Sequence, residues 1–257
     1  MNPYLQLIKE LDLVYRPILG TSSTKTVKGE KEGYLTAIVY LTPDLELCPF
    51  SVISNCLEAC LYTAGRGAFN KTQLQRQLKT LFFKENLRSF MLSLCADIWT
   101  LERKALRLGL IPLVRLNGTS DILFENIEIE DSGLTIFQVF PHIDFYDYTK
   151  HPKRKLEGKT ANNYDLTYSY SGVTPKKITE AGFNNPDNKR ISVVFMRKED
   201  IPQSFNNFMV IDGDNTDLRH IEPEGVVVSL YAKGKAKRDT GGFVQIKGVH
   251  YAQRRIN

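Results

Sequence analysis

Short, nearly continuous apolar runs recur along this chain, and each stops at a polar or glycine-containing loop. They are YLTAIVYLTP (34–43), LIPLVRLNGTSD (110–121), FQVFPHIDFYDYTK (137–150), NYDLTYSYSG (163–172), ISVVFMRKEDIP (191–202), FMVIDGD (208–214) and GVVVSLYAKG (225–234). Runs this short, rich in β-branched and aromatic residues, suit strands buried on both faces, as in parallel sheets covered by helices. Between the first two lie amphipathic stretches at helical spacing. One carries Leu74, Leu78, Leu81 and Phe82, opened by a capping-box pattern of Asn70 with Gln73. The other carries Leu87, Phe90, Met91, Leu94, Ile98, Leu101 and Leu108 and is closed by Gly109. Strand then helix, repeated with the polar residues gathered after the strands, predicts an α/β fold. It is a partial (β/α) barrel or a mostly parallel sheet, with its site on the loops that follow the strands.

At 257 residues the chain can bury one sizeable core, so one domain is expected over 1–257. Residues 1–32 form an N-terminal addition: Leu5, Ile8 and Leu11 mark a helix, and TSSTKTVKGEKEG a loop or short hairpin. The α/β core runs over 33–245 and a tail over 246–257. TPKKITEAGFNN (174–185) supplies a helix, and HPKRKLEGKTANN (151–163) reads as a mobile basic loop. The start of the chain has no basic segment followed by an apolar block and no small-residue cleavage site, which argues against a signal peptide. No apolar run approaches the roughly 18 residues of a membrane span. The expected location is therefore a reducing cytoplasm, without a membrane partner. A net charge of +5 is compatible with an anionic partner such as nucleic acid or a nucleotide. Nothing in the sequence fixes the oligomeric state.

Three of the four cysteines fall in CPFSVISNCLEACLYTAGRG (48–67), directly after the first strand. Cys48 stands at the start of the loop. Residues 54–63 read as a short helix that sets Cys56 and Cys60, four apart, on one face. In a reducing compartment such clustering argues for metal or redox chemistry over a disulfide framework. Three thiolates leave one coordination position open, on zinc or on a four-iron iron–sulfur cluster (4Fe-4S). The competing reading is three buried, reduced thiols. Cys95, inside the second helical stretch, reads as a small buried hydrophobe.

A buried strand, a three-cysteine loop and a following helix resemble radical S-adenosylmethionine enzymes, whose partial barrel holds a four-iron cluster in that place. Their usual C-x3-C-x2-C spacing is replaced here by C-x7-C-x3-C. The resemblance implies an S-adenosylmethionine cofactor at the open iron, met after the second strand by Asn117, Gly118, Thr119 and Asp121 of RLNGTSD. YLTAIVYLTP, the cysteine stretch, RLNGTSD, DFYDYTK and VIDGDNTDLR together resemble a group of bacteriophage proteins, the gene product eighty-eight type, over most of residues 33–245. That resemblance implies a phage protein in the host cytoplasm and brings no activity with it.

Other segments bear charges suited to a substrate. Arg115, a charge inside an apolar strand, calls for a partner and is a candidate catalytic residue together with Asp212. FYDYTKHPKRK interleaves Tyr146 and Tyr148 with Lys150, Lys153 and Arg154, which could stack bases and hold phosphates, although a packed strand end followed by a solvated loop gives the same pattern. VIDGDNTDLRH clusters Asp212, Asp214 and Asp217 at a spacing that suits a hard cation, a ribose hydroxyl or a plain acidic turn. YAKGKAKRDTGGF combines Lys233, Lys235, Lys237 and Arg238 with glycines, a pattern for a phosphate cradle or further nucleic-acid contact. His142 reads as a structural histidine. Two functions emerge. One is a cluster-binding, radical S-adenosylmethionine-like enzyme acting on a phosphate-bearing or nucleic-acid substrate. The other is a non-enzymatic nucleic-acid-binding protein whose thiols hold structural zinc or are simply buried.

Overall fold

The computed structural model describes residues 1–21 and 24–253. The expected N-terminal helix is α1, Pro3–Glu10, capped by Asn2, whose side chain accepts from the amides of Tyr4 and Leu5. Next come a two-residue strand, β1 (Leu19–Gly20), and a helix, α2 (Thr24–Lys31), where a loop or hairpin was expected. The first apolar run is β2 (Tyr34–Val39), followed by one turn of helix, α3 (Ser51–Ser54). The two helical stretches are α4 (Asn70–Glu85) and α5 (Leu87–Leu108), the latter ended by Gly109 at φ 66°. The capping box does not form. Asn70 is already inside α4, Phe69 occupies the cap position without a side-chain bond, and Gln73 donates to the Gly67 carbonyl instead.

The later runs give β3 (Ile111–Arg115), a short α6 (Ile136–Val139), β4 (Asp144–Thr149), β5 (Tyr164–Ser169), the expected helix α7 (Lys176–Phe183), β6 (Asn188–Phe195), β7 (Ser204–Phe205), β8 (Phe208–Asp212) and β9 (Val227–Tyr231). All strands lie in one open sheet of order β1-β2-β3-β4-β5-β6-β9-β8-β7. From β2 to β8 every pairing is parallel, and only β1 and β7 at the two edges are antiparallel. The expected α/β fold is thus a mostly parallel, unclosed sheet. Its strands from β2 to β6 follow chain order without reversal, so the loops leaving them line up along one edge.

The pleat sends alternate residues to opposite faces. Leu35, Ala37 and Val39 of β2, Val114 of β3 and Phe145 of β4 pack on one face against Phe90, Leu94, Ile98 and Leu101 of α5. Cys95 lies in the same core, fully buried, as the sequence suggested. Leu113 and Tyr146 turn to the other face and meet Leu218 from the segment after β8. α4 departs from expectation in orientation. Its buried residues are Arg76, Thr80 and Phe82, whereas Leu74, Leu78 and Leu81 face outward. Among the described residues no helix is long and apolar enough to cross a membrane.

Candidate metal centre

After β2 the chain turns at Asp44, whose carboxylate accepts from the Leu47 amide at 2.8 Å and pairs with Lys84 at 2.7 Å. Cys48 follows, its amide on the Asp44 carbonyl. The helix expected over 54–63 does not form. α3 stops at Ser54 because Asn55 adopts a left-handed conformation at φ 52°, the kind of position asparagine tolerates. Cys56 and Cys60 are therefore carried by a turn rather than by a helix face. Cys60 caps a 3-10 turn at Leu61–Thr63, where its Sγ accepts from the Tyr62 amide at 3.5 Å.

The loop is anchored from α4. The Arg76 guanidinium donates to the Tyr62 carbonyl at 2.8 Å and lies over the rings of Tyr40 and Tyr62, 4.8 and 5.2 Å from their centroids. Gly67 permits this approach, since a Cβ there would fall on the Tyr62 carbonyl and within 3.1 Å of the Arg76 guanidinium. From β4, Lys150 enters the same region. Its ammonium donates to the Ser169 carbonyl at 2.9 Å and to the Ser169 hydroxyl at 3.2 Å, and sits 4.6 Å from the Phe243 ring centroid. Neither Arg76 nor Lys150 forms an ion pair with a carboxylate among the described residues.

The electrostatics tie these groups together. Burial raises the Cys48 thiol well above the usual range, reinforced by Asp121 and by Cys56 and Cys60. Burial also raises the Cys60 thiol, opposed by the Tyr62 amide and by the charges of Arg76 and Lys150. Lys150 is lowered by burial and raised in turn by Cys56, Asp121 and Cys60. All three thiols are free of disulfides. Among the described residues, no group of three or more histidine, cysteine or acidic side chains is set to ligate a metal ion in this arrangement. A cleft of about 300 Å3 opens beside Cys60, lined by Pro43, Leu57, Glu58, Tyr62, Gln73 and Lys235.

RLNGTSD lies next to this loop as a closed turn. The Asn117 side-chain oxygen accepts from the Ser120 hydroxyl and the Ile122 amide, both at 2.8 Å, and Thr119 donates to the Leu41 carbonyl. Gly118 binds the Val39 carbonyl through its amide. Asp121 accepts from the Lys150 amide at 2.8 Å and pairs with Arg154 at 3.3 Å. The polar atoms expected to meet a cofactor are thus engaged with neighbouring loops, which is the behaviour of an Asx-type turn.

Arg115 has the partner its position demanded. It pairs with Asp217 at 3.3 Å, lies 3.8 Å from Asp147, and its guanidinium sits 4.7 Å from the Tyr148 ring centroid. Asp147, fully buried, accepts from the Asn117 amide at 2.7 Å and from the Tyr164 hydroxyl at 2.9 Å. Arg154 is likewise buried, its fork on Glu125 at 2.8 and 2.5 Å and a further bond to Tyr164. For two of the residues expected to contact nucleic acid the reading is corrected here. Tyr146 is buried with its hydroxyl on Asp217, and Arg154 is buried among carboxylates, so neither presents a surface to a base or phosphate. Tyr148 is half-buried in the same layer, and Lys150 turns toward Ser169, while Lys153, Lys235, Lys237 and Arg238 are exposed.

The remaining candidates are turns. Asp212 is exposed and accepts from the Asp214 amide, and Asp214 is held by Lys233 and the Tyr231 amide. Gly241 of YAKGKAKRDTGGF serves packing: a Cβ on it would collide with the Asn55 amide of the cysteine loop. His142 pairs with Glu102 at the surface, at 2.7 Å.

Two sequestered carboxylates give the fold a pH dependence: buried Asp147 in this layer, and half-buried Glu222, which pairs with Arg219 at 2.8 Å after β8. Burial lifts Asp147 to about 6, against the pull of Arg115, and lifts Glu222 to about 7, against Arg219. An acid whose folded pKa is raised stabilises the fold fully below its unfolded value, near 4 for these groups, and that contribution is lost as pH climbs through 6 to 7. Asp44, lowered by Lys84 and the Leu47 amide despite its desolvation, acts in the opposite sense and weakens the fold below about pH 4. Urea unfolding is expected to show more stability at pH 5 than at pH 7.5, the two carboxylates outweighing His151 and His220, whose lowered pKa values act in the opposite sense. A flat or rising profile over that interval contradicts this assignment.

No curated protein and no solved structure matches the chain, so the expected likeness to radical S-adenosylmethionine enzymes draws no support from them. Residues 17–246 match the family model described as gene product 88, so the chain belongs to that family.

Proposed function

We propose that this is a metalloprotein in which Cys48, Cys56 and Cys60 hold an iron–sulfur cluster at the edge of the parallel sheet where the β2 and β4 loops meet. One observation carries the reading: among the described residues, Arg76 and Lys150 have no carboxylate ion-pair partner, and both act on the Cys60 thiol, Lys150 on Cys56 as well. A sequestered cation is costly without a counter-charge, and neutral thiols supply none. Thiolates on a metal do supply it, because ligation requires them to be deprotonated. The Tyr62 amide already donates to the Cys60 sulfur, as hydrogen bonds to cluster sulfurs do. Three cysteine ligands leave one iron accessible, and the cleft beside Cys60 leaves room there for a small ligand. Bound, such a cluster supplies electron transfer or a Lewis-acidic iron. An anionic substrate, such as a nucleotide or nucleic-acid phosphate, meets exposed Lys235 at the mouth of that cleft, with Lys237 and Arg238 on the same 3-10 turn.

The test is anaerobic reconstitution of the full chain with ferrous iron and sulfide, followed by iron and sulfide assays and visible absorption. A coloured protein with stoichiometric iron and sulfide is expected, with colour and metal lost in the Cys48→Ala/Cys56→Ala/Cys60→Ala variant while its circular dichroism is kept. A colourless, iron-free chain, one that takes up zinc alone, or a triple variant that retains iron overturns the proposal.

A further inference from the structure

The outward face of α4 holds a pattern that the metal site does not use. Lys71, Leu74, Leu78, Leu81 and Glu85 follow one another at intervals of three and four residues, which aligns them in a single stripe along the helix. All five are exposed; the leucines retain 52%, 39% and 49% of their surface. The buried residues of the same helix are Arg76, Thr80 and Phe82, with Phe82 flanking the stripe on its core side. Among the described residues, the side chains of Lys71 and Glu85 form no hydrogen bond or ion pair.

We propose that α4 pairs with α4 of a second copy of this chain, antiparallel, about a two-fold axis passing beside Leu78. The charges select both the occupant and the direction. Lys71 and Glu85 are each seven residues from Leu78, so an antiparallel pairing sets Lys71 of each copy opposite Glu85 of the other. Leu78 then meets its own counterpart, and Leu74 packs against Leu81. A parallel pairing would oppose lysine to lysine and glutamate to glutamate. A two-fold contact must be self-complementary, and this stripe is. The alternating three-four spacing is that of helices packed at a shallow crossing angle. The seam spans only about 21 Å of helix, so the contact lies at the small, reversible end of protein interfaces.

Sedimentation equilibrium of the full chain over a concentration series tests this. A monomer–dimer equilibrium that dissociates on dilution is expected. Leu78→Lys should weaken it at least tenfold, because it sets two ammonium groups face to face at the axis. Lys71→Glu should weaken it as well, and adding Glu85→Lys to that variant should restore it, with circular dichroism unchanged throughout. A wild-type chain that stays monomeric at the highest concentration, a Leu78→Lys variant that dimerises equally well, or a double charge exchange that fails to rescue Lys71→Glu overturns the proposal.

Discussion

Arg154→Met is expected to cost about 3–5 kcal/mol of stability, the range for removing one partner of a buried ion pair. The side chain is wholly inaccessible, and its fork holds the Glu125 carboxylate, itself buried, through two bonds. Methionine fills much of the volume but leaves Glu125 and Asp121 without their cation, in a layer where Tyr164 and Asp147 are also sequestered. At this chain length each kcal/mol moves the thermal midpoint by roughly 2–4 °C, so a drop of about 10 °C should appear in a melting curve. A second variant, Arg154→Met with Glu125→Leu, should recover most of the loss, because the stranded carboxylate goes with it. If the single variant melts within a degree or two of wild type, the buried network is not what holds the β4–β5 crossover.

That residue marks the limit of what the sequence made legible. HPKRK reads as a solvated basic loop because local patterning has no means of announcing that Arg154 folds back onto Glu125, 29 positions earlier. Arg115 was easier, since a charge within an apolar strand demands a partner, yet its partner Asp217 lies 102 residues away and nothing local names it. The strands were readable for the opposite reason. Each is a self-contained apolar run whose burial depends on composition more than on any one distant contact, so β2, β3, β6 and β9 stand where the sequence put them. The helical reading of Cys56 and Cys60 failed at a single residue. Asn55 takes a left-handed conformation, one that the 3.6-residue pattern does not register. On α4 the period was right, but of Leu74, Leu78, Leu81 and Phe82 only Phe82 is buried: periodicity shows that a helix has an apolar stripe, not what covers it.

The opposite sign is expected for Lys150→Met. Burial lowers the Lys150 pKa, so the fold disfavours its charge even though the neighbouring thiols and Asp121 pull the other way. Among the described residues no carboxylate lies in ion-pair reach, and the ammonium donates to the Ser169 oxygens and sits against the Phe243 ring. Methionine keeps the length of the side chain and removes the desolvated charge, so the metal-free variant should melt at or above the wild-type temperature, at neutral pH, where the cost of the charge applies in full. On the proposed metal site, loading should respond in the reverse direction. A cation facing a thiolate cluster acts as an outer partner of the ligands, and losing such a partner typically weakens affinity 10–100-fold. Arg76→Met should weaken loading in the same way but also lose the bond to the Tyr62 carbonyl, so a fall in its stability would trace to the loop anchor rather than to charge. Melting curves of the metal-free proteins and iron titrations of both variants separate the two effects. A Lys150→Met chain that is much less stable yet loads iron as well as wild type would mean that the lysine packs the β5 end of the sheet, and that the thiols have no need of its charge.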